Sequence, residues 1–197
     1  MRETLAKYIP EGSIDKVIAL TKLHPTYLKI VGDRKTKYGD FRVLSGKNTQ
    51  ITINYNLNPY QFLFTLIHEF AHLVTHKKYG HVQPHGPEWK HTFQHLMLPF
   101  LNPDVFPQKL LPYMARHLKN PKASTGADVY LTYALKQYDK ASDLTPVFKI
   151  PENGHFIFNK ALYLRGRQRR TRIECINLKN KKTYLFNLNA EVLPFKQ

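Results

Sequence analysis

Thr65-Leu66-Ile67-His68-Glu69-Phe70-Ala71-His72-Leu73-Val74-Thr75-His76 is the stretch on which the reading of this chain turns. It contains H-E-x-x-H at residues 68–72. On a helix that four-residue spacing brings two imidazoles to one face, one above the other, so two nitrogen ligands for a metal are set at low entropic cost. Glu69 lies one position around the helix, where a carboxylate can reach a metal-activated water without taking a coordination site, the place of a general base. Leu63, Leu66, Ile67, Phe70, Ala71, Leu73 and Val74 make the helix apolar nearly all round, which predicts that it is buried. Imidazoles and a carboxylate in such a helix are costly if unpaired, and a metal explains them better than core packing does. Five residues can also match by chance, and a catalytic zinc takes a third protein ligand.

Working outward, Asn58-Pro59 supplies a helix cap and a first-turn proline, with Gln61 three residues after the cap. The helix is predicted over residues 59–79, with Gly80 as its stop, and a second over 87–99 carrying Trp89, Phe93, Leu96 and Met97. Upstream, residues 3–8 and the stretch after Ser13 read as helix. The runs 27–31, 40–44 and 50–55 read as a small three-stranded, mostly antiparallel sheet, separated by turns at 32–33 and 45–48. Residues 100–125 are rich in proline and leucine, which predicts irregular or short helical structure. From Val147 on, the runs HFIFN, ALYLRG, TRIECINL and KTYLFNL alternate with basic turns and predict an antiparallel β unit. The expected organisation is a domain over 1–120, a linker or irregular stretch over 121–146, and a basic β-rich unit over 147–197.

A length of 197 residues and 42% hydrophobic content allow a core without disulfide staples. Cys175 is the only cysteine, which excludes an internal disulfide and a zinc site built from several thiolates. With no run of ~18 apolar residues and no leader-like start, the expectation is a cytoplasmic protein without a membrane partner. Thirty Lys and Arg against 14 Asp and Glu give a formal charge of +16, which attracts polyanions such as nucleic acid; a role in solubility alone is the other reading.

HEFAH followed, after twelve intervening residues, by HGPEW resembles the SprT-like zinc metallopeptidases, a family that includes bacterial SprT proteins and the DNA-protein crosslink protease Spartan. The resemblance runs over residues 13–100. It implies that the histidine of the HGxxF/W motif is the third ligand, here His85, beside His68 and His72 on one catalytic Zn2+. Gly86 would then free the backbone to turn at the ligand, Pro87 would open the next helix and Trp89 would pack on the metal-bearing helix. The implied fold is α+β, a zincin-like minimal metallopeptidase domain with a small antiparallel β unit after it. The implied activity is zinc-dependent endopeptidase cleavage, with Glu69 drawing a proton from a zinc-activated water. Many relatives carry a zinc ribbon held by cysteine pairs; here the C-terminal unit would be a ribbon relative without its metal, relying on Phe156, Phe158, Tyr163, Ile173, Tyr184 and Phe186.

For the oxyanion, His76, Tyr79, His81 and His91 stand as unranked candidates. His76 extends the spacing of His68 and His72 by four residues but reads as a polar residue near the helix end. His91 and His95, also four apart, read as surface or outer-sphere histidines rather than a second site. In the C-terminal unit Arg165, Arg167, Arg169, Arg170 and Arg172, followed by Lys179, Lys181 and Lys182, suggest a cationic stripe for phosphates, with single-stranded DNA favoured beside exposed aromatics; a charge-protected sheet edge is the alternative. Two functions therefore stand: a DNA-associated protease acting on protein or peptide, or a nucleic-acid-binding or regulatory module with structural or vestigial zinc.

Overall fold

A computed structural model describes residues 1–34, 36–123 and 127–195. Its contacts divide the chain into two units, residues 1–139 and 140–197. Residues 124–126 of the expected linker and the last two residues of the C-terminal unit lie outside the described residues.

In the first unit, helices α1 (Arg2–Leu5) and α2 (Ile14–Leu23) precede strands β1 (Tyr27–Val31), β2 (Gly39–Val43) and β3 (Thr49–Asn54). The strand order is β1-β3-β2, with β1 parallel and β2 antiparallel to β3. The sheet is thus mixed rather than mostly antiparallel. Burial gives the reason: Ile51 and Ile53 are fully buried and every β3 residue except Gln50 is buried, whereas β1 and β2 are half-exposed and suit edges. β1 and β2 do not close as a hairpin; the Arg34 guanidinium between them donates to Asn54 Oδ1 at 2.8 Å and Thr52 Oγ1 at 2.9 Å, anchoring the connection to the central strand.

Helix α3 (Pro59–Tyr79) is the axis of the unit. Asn58 Oδ1 accepts from the Tyr60 and Gln61 N–H groups at 3.1 and 3.0 Å, and Gly80, at φ 70°, ends the helix. Phe62, Leu63, Phe64, Leu66, Ile67, Phe70, Ala71 and Leu73 are fully buried, so the all-round apolarity of this helix reflects packing on every side. Each such aromatic or aliphatic side chain contributes about 1.5–3 kcal/mol through burial. Helix α4 (Pro87–Met97) adds Trp89, Phe93 and Met97 to the core.

The stretch expected to be irregular or short helical holds the short helix α5 (Leu111–Lys119), and the stretch expected to be linker or irregular holds helix α6 (Val129–Lys136). Leu131, Ala134 and Leu135 of α6 join the first unit's core, moving its boundary from residue 120 to 139. Asp128 caps α6 by accepting from Leu131 N–H at 3.1 Å and also meets His117 Nδ1 at 3.1 Å, tying α6 to α5. Asn58 Nδ2 donates to the Leu135 carbonyl at 3.0 Å and to Asp139 at 2.6 Å, tying the end of α6 to the start of α3.

The second unit is one antiparallel sheet of strands β4 (Thr145–Pro146), β5 (His155–Phe158), β6 (Ala161–Gln168), β7 (Arg172–Asn177), β8 (Thr183–Asn187) and β9 (Glu191–Phe195), ordered β4-β9-β5-β6-β7-β8. Phe156, Tyr163, Ile173 and Phe186 are buried as expected, joined by Cys175; Tyr184 is 40% exposed, its ring edge-on to Tyr163, because β8 is the sheet's edge. No helix among the described residues is long and apolar enough to cross a membrane.

Asn58→Ala deletes the α3 cap and the two bonds to α6 together, and is expected to lower stability by about 3 kcal/mol in urea denaturation. Asn58→Asp, which retains the capping oxygen, recovers only the capping share.

Candidate metal centre

His68 and His72 leave α3 on consecutive turns, and His85 approaches from the residue before the Gly86 cap of α4. The three Nε2 atoms form a triangle: 3.3 Å from His68 to His72, 3.0 Å from His72 to His85 and 3.2 Å from His85 to His68. His85 itself carries the turn, at φ 60°, a left-handed conformation that histidine tolerates better than most residues. Gly86, expected to supply that freedom, is extended at φ −70°, ψ −175°. Its glycine identity serves close approach instead, since a Cβ there would lie 2.9 Å from the Gln83 carbonyl oxygen. Trp89, 1% exposed, sets its ring 4.6 Å from those of His68 and His85 and 5.2 Å from that of His72, and stacks on Phe93 at 5.0 Å. The imidazoles are held by a packed aromatic wall.

This donor set fits a zinc ion. Three nitrogens at ~2.0–2.1 Å from a tetrahedral ion lie about 3.3 Å apart, close to the observed triangle. Burial keeps all three rings neutral: it places His68 well below the ordinary imidazole value, pushes His72 down to about 4 and lowers His85, with mutual repulsion adding at His68 and His72. Neutral rings offer lone pairs to a cation. Among the described residues no other group of three His, Cys, Asp or Glu converges in this way, and His91 and His95 stay exposed on α4.

Glu69 is 6% exposed and stands beside the triangle against β2. Its carboxylate accepts from the Phe41 backbone N–H. Burial, reinforced by Asp40, raises it to about 8 in the metal-free chain, against the pull of Arg34, Lys37 and that N–H. Asp40 is itself paired with Lys37 at 2.7 Å and with Arg42. The strand presses close: a Cβ on Gly39 would fall 2.6 Å from Glu69 Oε1 and 2.7 Å from Thr65 Cγ2. Gly39, Asp40 and Phe41 were invisible to motif reasoning. A glycine opening a strand is a weak signal of close backbone approach, and nothing in the sequence says which helix approaches.

The cleft over these groups measures about 520 Å³ and is lined by Phe41, Val43, His76, His81, Val82 and Gln83 besides the residues above. Of the four oxyanion candidates, His76 and His81 line it; Tyr79 and His91 do not.

The expected arginine stripe of the second unit is broken. A bulge in β6 shifts the register between Arg165, opposite buried Cys175, and Gln168, opposite Ile173. Arg165, before the bulge and on the same face as buried Tyr163, is 8% exposed and bonded to Glu152 at 3.3 Å. Arg167 and Arg169 both donate to Glu174, at 2.9 and 2.6 Å. Arg170, Arg172, Lys179, Lys181 and Lys182 are exposed.

Residues 20–106 match the SprT-like family. The chain is similar to Protein SprT of Vibrio parahaemolyticus serotype O3:K6 (strain RIMD 2210633), 49% identical over 45 residues, 21% of this chain and 27% of the relative. It is also similar to Protein SprT of Vibrio atlanticus (strain LGP32), 56% identical over 27 residues, 14% of this chain and 16% of the relative. These matches span about a quarter or less of either relative's length. No solved structure matches.

His85→Ala removes one vertex of the triangle, and zinc affinity measured by chelator competition is expected to fall by more than the ~10–100-fold that outer-sphere changes cost. Unchanged affinity would remove His85 from the donor set.

Proposed function

Since residues 20–106 belong to the SprT-like family, we propose that the cleft is the active site of a zinc-dependent metalloendopeptidase acting on protein or peptide. The supporting observation is the convergence of three neutral imidazoles, Nε2 atoms 3.0–3.3 Å apart, beside a buried carboxylate in an open cleft. His68, His72 and His85 hold the ion. Zinc, when bound, supplies Lewis-acid activation of water and of the scissile carbonyl. Glu69 takes the proton at its carboxylate and returns it to the leaving amine; a nearby divalent cation favours its ionised form over the protonated one that burial favours. Gly39 and the Phe41 N–H keep that carboxylate in one orientation, and Trp89 keeps the imidazoles in theirs.

The proposal extends to nucleic acid, with single-stranded DNA as the partner. Its support is the formal charge of +16 and the exposed Arg170, Arg172, Lys179, Lys181 and Lys182, which a phosphate backbone can reach. Arg165 drops out as a contact because it is buried, and Arg167 and Arg169 would first have to leave Glu174. The same cations also support the second reading, a nucleic-acid-binding or regulatory module with a structural zinc.

Glu69→Gln is expected to keep zinc and lose cleavage of casein by about 10²–10⁴-fold. Gly39→Ala, which displaces the carboxylate without touching a ligand, is expected to keep zinc and lose much of the rate. Fragments that persist undiminished in Glu69→Gln remove the general base, and absence of fragments from the parent with and without single-stranded DNA favours the module. For the DNA half, the double substitution Arg170→Gln/Arg172→Gln should weaken single-strand binding and flatten its log affinity–log salt slope by about 1.4. An unchanged slope excludes those two arginines as phosphate contacts.

A further inference from the structure

We infer that His76 is the hydrogen-bond donor that steadies the oxyanion in peptide cleavage, an inference that rests on the peptidase reading above. Peptide hydrolysis needs such a group. The water oxygen's lone pair forms the C–O bond as its proton passes to Glu69, and the carbonyl π pair moves onto the oxygen. That pair then re-forms C=O as the C–N pair leaves with nitrogen, which takes up the proton from Glu69. Negative charge on the oxygen is the feature that separates this state from the bound substrate, so a donor aimed at it speeds the reaction itself.

His76 meets the requirement by position. It follows His72 by one turn on the same face of α3, and helical side chains lean back over the preceding turn, here the turn that carries His72. It lines the cleft together with His68, Glu69, His72 and His85. Its ring lies against that of Phe41, centroids 5.9 Å apart, and the Phe41 backbone N–H is the donor to Glu69. One residue of β2 thus fixes both the base and this imidazole. Among the described residues nothing hydrogen-bonds the His76 ring nitrogens, so a donor N–H is free in the neutral or the charged ring. His81 also lines the cleft but is exposed beyond Gly80, while Tyr79 and His91 line no part of it.

The test uses the zinc-loaded full chain, a fluorogenic peptide copied from a casein site that the parent cuts, and a phosphinic peptide of the same sequence, whose tetrahedral anion mimics the oxyanion. His76→Leu is expected to keep its zinc and its KM, to lose about 10²–10³-fold in kcat, and to lose phosphinate affinity far more than affinity for the uncleaved peptide. His76→Gln, which retains an N–H, should recover part of both losses, and His91→Asn should match the parent. Parent-like kcat in His76→Leu, loss of zinc in that variant, or a loss that follows His81→Leu instead would overturn the assignment. Should the parent cut nothing, or no better than Glu69→Gln, the peptidase reading fails separately. Undiminished phosphinate affinity in His76→Leu overturns His76 in either case.

Discussion

Two imidazoles and a carboxylate sit in the most buried helix of the first unit, and their desolvation is the constraint around which that unit is built. The α3 residues Phe62, Phe64, Leu66, Ile67 and Phe70 are all fully buried, so the helix runs through the core and His68, Glu69 and His72 are held where water cannot solvate them well. Burial keeps the imidazoles neutral and makes the Glu69 carboxyl reluctant to ionise. A cation at the triangle reverses that bias, because it uses the lone pairs and attracts the carboxylate. The third nitrogen arrives only because His85 accepts a left-handed backbone ahead of α4 and Trp89 backs all three rings.

The sheet serves the same arrangement. Because β3 takes the centre, β2 is left at an edge beside α3, and its backbone rather than its side chains meets Glu69. That contact leaves no room for a Cβ at Gly39. α6 has a comparable hidden part: through Asn58 and the pair His117–Asp128 it braces the start of α3 and the flank of α5, although its sequence lies in what reads as linker.

The second unit shows how a local irregularity redirects charge. Strict alternation along β6 would have set Arg165, Arg167 and Arg169 on one face. Arg165 keeps the alternation that buries Tyr163 and faces buried Cys175; beyond it the bulge breaks the register, Arg167 and Arg169 are exposed but held on Glu174, and Arg170, Arg172 and the lysines of the turn before β8 are exposed as well.

Much was legible because its causes are local. The bounds of α3 follow from Asn58, Pro59 and Gly80, and the pairing of His68 with His72 follows from helical period, both properties of neighbouring residues. The convergence of His85 was read through family resemblance, and the structure supplies its geometry. What tertiary structure alone decided is which surfaces meet: the place of β3 between its neighbours, the pressure of Gly39 on Glu69, the packing of α6 into the core and the split of the arginines. Those outcomes depend on burial shared between segments far apart in the chain, and no window of sequence contains both sides of such a contact.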